Sequence, residues 1–205
     1  MLNRHNLEIA SLCSKEQSRY SLGGILVQPR RTAVTDGHLL MIVDTEAQVT
    51  SDNFPLTPGC TASDEFTPFI LPAKSALDIA RAIPKRSTIP VMMMAAVGSE
   101  SDSNGHAVMA VNDLESPKVF TPKKSEGTFP EVDKCVPDIG TETVSFSLDL
   151  HLLIPLLKEM EKLADTKSAA VATFRVKDNN SPIRIDVRNG TTEQNGIAVI
   201  MPCKA

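Results

Sequence analysis

The chain has 205 residues, 41% hydrophobic and 22% charged, the balance of a globular protein with room for one large domain or two small ones. Aromatics make up only 4%, with no Trp, which argues against base stacking as a main mode of binding. A net charge of −4 excludes bulk wrapping by nucleic acid but leaves room for a local basic surface.

In chain order, the first helix is expected at about Arg4 to Gln17, where Leu7, Ile9, Ala10 and Leu12 are apolar and Arg4, Asn6, Glu8 and Lys15 polar. Two strand-like runs follow, Leu22 to Val27 and Thr32 to Val34, and a third covers Leu39 to Val43. Between the last two stands Thr35-Asp36-Gly37-His38, whose Asp-Gly pair predicts a type I′ hairpin turn. The text then turns polar from Thr45 to Thr67, a long connection with one strand near Gln48–Thr50.

Phe69-Ile70-Leu71-Pro72 is extended, and Ala73, Leu77, Ala80 and Ile83 place a helix at about Lys74 to Ile83, stopped by Pro84. Strands are expected at Ile89 to Val97, His106 to Asn112 and Lys118 to Thr121, before a proline-punctuated connector through Val136-Pro137. Val144 to Ser147 is strand-like. A helix over about Leu148 to Asp165 follows, with Leu152, Leu153, Leu156, Leu157, Met160 and Leu163 as its stripe and Pro155 as an internal kink. Strands at Ala170 to Lys177, Ile183 to Arg188 and Ile197 to Met201 finish the chain.

This order implies an α+β fold of about three strand–helix–three-strand modules with antiparallel sheets. The modules cover 1–66, 67–139 and 140–205, and the first is abbreviated. The four cysteines lack metal-ligand or disulfide spacing, so no metal site or disulfide framework is expected. Arg4, His5 and Glu8 replace the apolar core of a signal peptide, and no run approaches membrane-spanning length, so a cytoplasmic setting is expected. His5, His38, His106 and His151 could be paired with Cys13, Cys60 or Asp36. No nucleophile elbow, phosphate loop or metal-spaced pair accompanies them, so neither an enzyme nor a cofactor is expected.

Four patches fall in an informative order. They are Arg19-Tyr20-Ser21-Leu22-Gly23-Gly24-Ile25 running to Ala33-Val34-Thr35-Asp36-Gly37-His38-Leu39-Leu40, then Phe69-Ile70-Leu71-Pro72-Ala73-Lys74, then Glu126-Gly127-Thr128-Phe129-Pro130 with Val136-Pro137, and last Ala198-Val199-Ile200-Met201-Pro202. Together they resemble the bacterial DNA sliding clamp, the beta subunit of DNA polymerase III, with this chain similar to the middle domain and a last half-domain.

The resemblance implies the DNA-clamp (processivity) fold, a non-enzymatic factor that encircles or tracks duplex DNA and docks polymerase and clamp loader through short linear peptides. It implies a homo-oligomer: with three modules per chain, a ring of about a dozen modules would take four chains. Cations able to touch phosphates are Arg4 and Lys15 on the first helix, Lys74, Arg81, Lys85 and Arg86 on the second, and Lys158 and Lys162 on the third. The plainer reading is a solvated helix face paired with Glu8, Asp78, Glu159 and Glu161.

The resemblance also implies a peptide pocket built from Thr35, Gly37, His38 and Leu40, with Pro137, Val199, Met201 and Pro202 opposite. The family's basic residue after His is Leu39 here, and its final residues give way to Cys203-Lys204-Ala205, which alters the rim. The plainer reading of Val199 and Met201 is a buried edge of the last strand. A rival to the clamp is an interaction module of the same fold that never encircles DNA.

Overall fold

The structure, a computed structural model, describes residues 1–15, 20–45, 49–99, 105–137, 145–164, 170–189 and 194–203. It forms two compact units, Met1–Pro137 and Asp138–Ala205. Every strand pairing is antiparallel and the helices are few, a mixed architecture consistent with the α+β class.

Unit 1 runs through one order of elements twice. The first pass is β1 (Leu2–Asn3), α1 (Arg4–Glu8), β2 (Gly24–Gln28), β3 (Arg31–Thr35) and β4 (Leu40–Asp44). The second is β5 (Phe69–Pro72), α2 (Ala73–Ala82), β6 (Met94–Val97), β7 (Met109–Val111) and β8 (Lys118–Phe120). In each pass the strand before the helix leaves its own repeat. β5 pairs with β2, setting Ile70 opposite Leu26, and β1 pairs with β6, setting Leu2 opposite Ala95. Two sheets of four result, ordered β4-β3-β2-β5 and β1-β6-β7-β8. The first repeat, expected to be abbreviated, is therefore complete. Its opening strand is two residues long, too short to register as a period-2 pattern.

Local chemistry sets the helix boundaries. The Asn3 side chain accepts from the Asn6 N–H at 3.1 Å while the Asn6 side chain accepts from the Asn3 N–H at 3.0 Å, a reciprocal cap on α1. Asn6 is fully buried, and its amide nitrogen also donates to Thr32 Oγ1 at 3.2 Å and to the Val43 carbonyl at 3.0 Å. One side chain thus caps the helix and pins it to β3 and β4. The first helix is shorter than its pattern suggested: after Glu8 the backbone tightens to a 3-10 turn through Leu12, and Gln17 lies outside the described residues. In α2, Ala76, Ile79 and Ala80 face inward, and the chain turns extended at Ile83, ahead of Pro84.

The repeats share a single core. Leu7 and Ile9 of the first helical segment and Ile79 and Ala80 of α2 pack with Ile25, Val27 and Leu71 from one sheet and Ala95, Val97 and Met109 from the other. Stretches 1–66 and 67–139, read as separate modules, are therefore packed as one body up to Pro137. Each sheet is covered on its other face as well. Val49, Phe54 and Ala62 of the long connection cover Met94, Ala96 and Ala110, and Phe129 and Val132 cover Ala33 and Ile70. Val132 opens a four-residue helix, α3 (Val132–Cys135).

Three strand assignments shift in unit 1. No strand forms at Val49–Thr50, Gln48 lying outside the described residues, and a 3-10 turn follows at Ser51–Asn53. Pro90–Met93 winds into a 3-10 turn, so the strand expected from Ile89 begins at Met94. Proline fixes its own φ and offers no N–H to a sheet, which suits it to a turn's first position. His106 makes only an isolated bridge, with Lys123, ahead of β7.

Unit 2 contains α4 (Leu150–Leu163), β9 (Ala172–Arg175), β10 (Ile183–Arg188) and β11 (Asn195–Ile200), its sheet ordered β11-β10-β9. Asp149 caps the helix by accepting from the His151 N–H at 2.8 Å, and the helix continues through Pro155. Its core joins Leu153, Leu156, Leu157 and Met160 to Ile183, Ile185, Val187 and Ile200. The strand expected at Val144–Ser147 reduces to a bridge between Ser147 and Cys203, Val144 lying outside the described residues.

Gly24 marks the tightest point of the exchange. A Cβ there would lie 2.5 Å from the Leu71 carbonyl oxygen, backbone that cannot step aside without breaking the β2–β5 pairing. Gly24→Ala should lower stability by about 2 kcal/mol or more. Urea unfolding followed by circular dichroism checks this, and an unchanged midpoint would contradict the close approach. Burial pushes the Cys13 thiol up to about 11, and Cys60 is buried too, whereas Cys135 and Cys203 are exposed. A thiol-reactive disulfide reagent should therefore modify Cys135 and Cys203 in the native protein and reach Cys13 and Cys60 only on unfolding.

Candidate functional site

The turn at Asp36-Gly37 is held by side chains. β3 and β4 close at Thr35 opposite Leu40, leaving a four-residue loop in place of the expected two-residue one. Gly37 has φ +97°, while Asp36 is not among the residues with positive φ, so the type I′ expectation is corrected. Asp36 instead accepts from the N–H groups of His38 at 2.7 Å and Leu39 at 3.0 Å, which holds its carboxyl below the usual range. Thr35 Oγ1 accepts from the Gly37 N–H at 3.1 Å and donates to the Leu39 carbonyl at 2.6 Å. Asp and Thr thereby fix the loop's shape, and His38 is left exposed at its tip.

The expected pocket residues divide between the two units: Thr35, Gly37, His38, Leu40 and Pro137 lie in unit 1, and Val199, Met201 and Pro202 in unit 2. In unit 1, Thr35 is buried and Leu40 half-buried against the cluster around Phe129 and Val132, while Pro137 is exposed. That side of the sheet is clipped by Arg31, whose guanidinium donates to both carboxylate oxygens of Asp133 at 2.7 Å. The clip raises the Arg31 pKa and, through the same hydrogen bonds, lowers that of Asp133.

In unit 2, Val199 and Met201 are each 60% exposed and Pro202 is half-buried, which goes against the plainer reading of a buried strand edge. The reason is alternation. Ala198 and Ile200 face α4, so Ile197, Val199 and Met201 face away from it. Ile197 was missed as a member of this row, although the period-2 spacing with Val199 and Met201 was there to read. The same outward face carries Arg175 and Arg184, whose Nε atoms donate to opposite oxygens of Asp186 at 2.7 and 2.8 Å, holding its carboxyl low.

The cations divide as well. In unit 1, α1 packs against α2. Lys74 and Arg81 are exposed on α2, seven residues apart; Lys85 and Arg86, expected on the same helix, are exposed too but lie beyond its end at Ala82, because the chain turns extended ahead of Pro84. Arg81 is paired with Asp78 at 2.6 Å. Lys15 is exposed too. Arg4 differs: its guanidinium donates to the Ile83 carbonyl and lies 3.6 Å from Glu8, tying α1 to the end of α2. In unit 2, Lys158 is exposed and Lys162 pairs with Glu159 at 2.6 Å.

Among the described residues, no three His, Cys, Asp or Glu side chains group as a metal-ligand set, and no helix is long and apolar enough to cross a membrane. Compared with known proteins, the chain matches no family model and no curated sequence.

Asp36, Asp133 and Asp186 all have folded-state pKa values below those of an unfolded chain. Their stabilisation is present above the unfolded carboxylate pKa of about 4 and is lost as pH falls through the depressed folded values. Melting temperature should therefore drop on acidification below about pH 5. Asp133→Asn should flatten that limb. Identical pH profiles for the two proteins would show that the Arg31 clip carries none of it.

Proposed function

We propose that the chain is a clamp-like, non-enzymatic processivity factor that tracks duplex DNA through phosphate contacts and docks replication partners by short peptides. The observation carrying this reading is the pair of packed helices in unit 1, backed by two sheets with exchanged strands, with Lys74 and Arg81 exposed on α2 and Lys85 and Arg86 exposed just past its end. A protein that must slide needs such a surface. It calls for mobile cations that meet phosphate oxygens at any sequence, without side chains inserted among base edges.

The competing acids do not defeat it. The Arg81–Asp78 and Lys162–Glu159 pairs are exposed and spaced i,i+3, a geometry worth a few tenths of a kcal/mol. Phosphates can displace such partners easily. Arg4, committed to Ile83 and Glu8, is assigned to holding the helices together and not to DNA. The exposed apolar row Ile197, Val199 and Met201 suits a peptide with apolar anchors, since an adaptable Met accommodates varied partners. That row also favours the second reading, a module of the same fold that binds peptides without encircling DNA.

Two measurements test the proposal. Fluorescence anisotropy on a duplex of arbitrary sequence should show binding that weakens steeply between 50 and 200 mM salt, as phosphate contacts of about this number require. The variant Lys74→Glu/Lys85→Glu/Arg86→Glu should weaken it by about tenfold or more and shallow the salt slope by about 3. No binding, or binding unchanged in the variant, would favour the peptide module. If DNA is encircled, protein loaded on a plasmid circle should be lost when the circle is cut once, and equal retention on both forms would exclude encirclement. Met201→Ala should weaken a short peptide from a replicative polymerase by about threefold to tenfold with the fold intact, and unchanged affinity would remove the row from the site.

A further inference from the structure

Unit 1 shows what a strand–helix–three-strand repeat of this chain does with its open edge. The strand after each helix, β2 or β6, is flanked on one side by its own repeat and on the other by the pre-helix strand of the second repeat. The two helices pack together in the same exchange. Neither repeat closes its own sheet.

Unit 2 contains one such repeat. β9 follows α4 as β2 follows α1 and β6 follows α2, and it pairs with β10 along one side. Along the other side no strand pairs with it among the described residues. The pre-helix segment is present and sits where unit 1 would place it. In the second repeat, the chain leaving the last strand returns to the pre-helix strand, with the Ser125 N–H donating to the Ile70 carbonyl at 2.9 Å, three residues before α2 begins. In unit 2, the Cys203 N–H donates to the Ser147 carbonyl at 2.9 Å, three residues before α4 begins. Ser147 thus corresponds to Ile70, and Ile70 is the residue that pairs with Leu26 of the other repeat.

The side chains around this edge are apolar and uncovered. Phe174 sits opposite Ile185, on the sheet face turned to α4, yet it is 43% exposed. Val171 is 63% exposed and Ile154 49%. Between α4 and β9 runs an open groove of about 380 Å³, lined by Ile154, Leu157, Met160, Val171, Ala172 and Val187 among others. In α2 the corresponding inward positions are filled by the other repeat.

We propose that a second copy of this chain covers this edge, with Phe146-Ser147-Leu148 of each copy laid along β9 of the other and the two α4 helices packed together, reproducing between chains the exchange that unit 1 makes within one. The occupant follows from the molecule itself, since the surface that covers an equivalent edge is another repeat of the same kind. The exchange is reciprocal, so it forms a closed two-fold interface and leaves no further β9 edge open. This goes beyond the DNA reading and does not depend on it. A protein that ignored DNA could still pair in this way, and a DNA-binding monomer would refute only the pairing.

Sedimentation and light scattering of the full chain at tens of micromolar, without DNA, should give a particle of twice the 22.2 kDa chain mass or an even multiple of it. Ile154→Glu and Phe174→Glu, combined, should halve that mass while circular dichroism stays native. A wild-type monomer, or a mass that the substitutions leave unchanged, would overturn the proposal. Should the double variant fail to fold, hydrogen exchange on the wild type decides. Amides of 172–175 should exchange at least tenfold more slowly in the concentrated protein than at high dilution, and exchange independent of concentration would overturn it.

Discussion

The structure depends on one constraint: a strand–helix–three-strand repeat leaves the strand after its helix unpaired along one side. Backbone N–H and C=O groups left open at an edge invite foreign pairing, and a helix alone does not cover them. Unit 1 meets the constraint by exchange, β1 joining β6 and β5 joining β2. Two consequences follow. The repeats lose their independence, because each sheet is completed by a strand from the other half. The helices are also drawn onto one shared core, so α1 and α2 must pack together. The position of α2, which carries Lys74 and Arg81, is thus set by how the sheets close.

The exchange also explains what the sequence reveals and what it hides. In unit 1 both sheet faces are covered, one by the helices and one by a connector, so all four residues of Met94–Val97 are buried and no alternation shows. In unit 2 one face is bare, and β10 alternates buried and open along Ile183–Arg188. That strand could be read to the residue from its period of two. The bounds of α2 were legible too, its end marked by Pro84, but its inward residues Ala76, Ile79 and Ala80 share only Ala80 with the stripe of Ala73, Leu77, Ala80 and Ile83 read from spacing. The two-residue β1 carries no period and became visible only through its pairing.

The site was legible in part for similar reasons. Lys74 and Arg81 stand out because a helix repeats and their spacing of seven does too, whereas Lys85 and Arg86 fall past the end of α2. The commitment of Arg4 to the Ile83 carbonyl could not be read, because the two residues are 79 positions apart in sequence. At the Asp36-Gly37 turn the residue types were informative and the mechanism was not. Asp acts there through its carboxylate, as acceptor for two backbone N–H groups, and only Gly37 takes the left-handed backbone. The plainer reading of Val199 and Met201 as a buried edge could not be decided from the sequence, because strand position alone does not say which face of a sheet is bare.

A net charge of −4 and a proposed DNA-tracking surface are compatible once the exposed pairs are weighed. An unpaired stripe of cations would hold phosphates tightly and slow any movement along the duplex. Acids such as Asp78 and Glu159, each one turn from a cation, set up a competition between phosphate and carboxylate for the same guanidinium or ammonium. Each exchange costs little in either direction, because both partners are solvated. The free energy of association can then be spread over many weak contacts, each replaced as fast as it is lost. Retention on DNA would come from closure around the duplex, and grip would contribute little to it. A clamp-like protein built in this way would need a closed assembly far more than a basic composition.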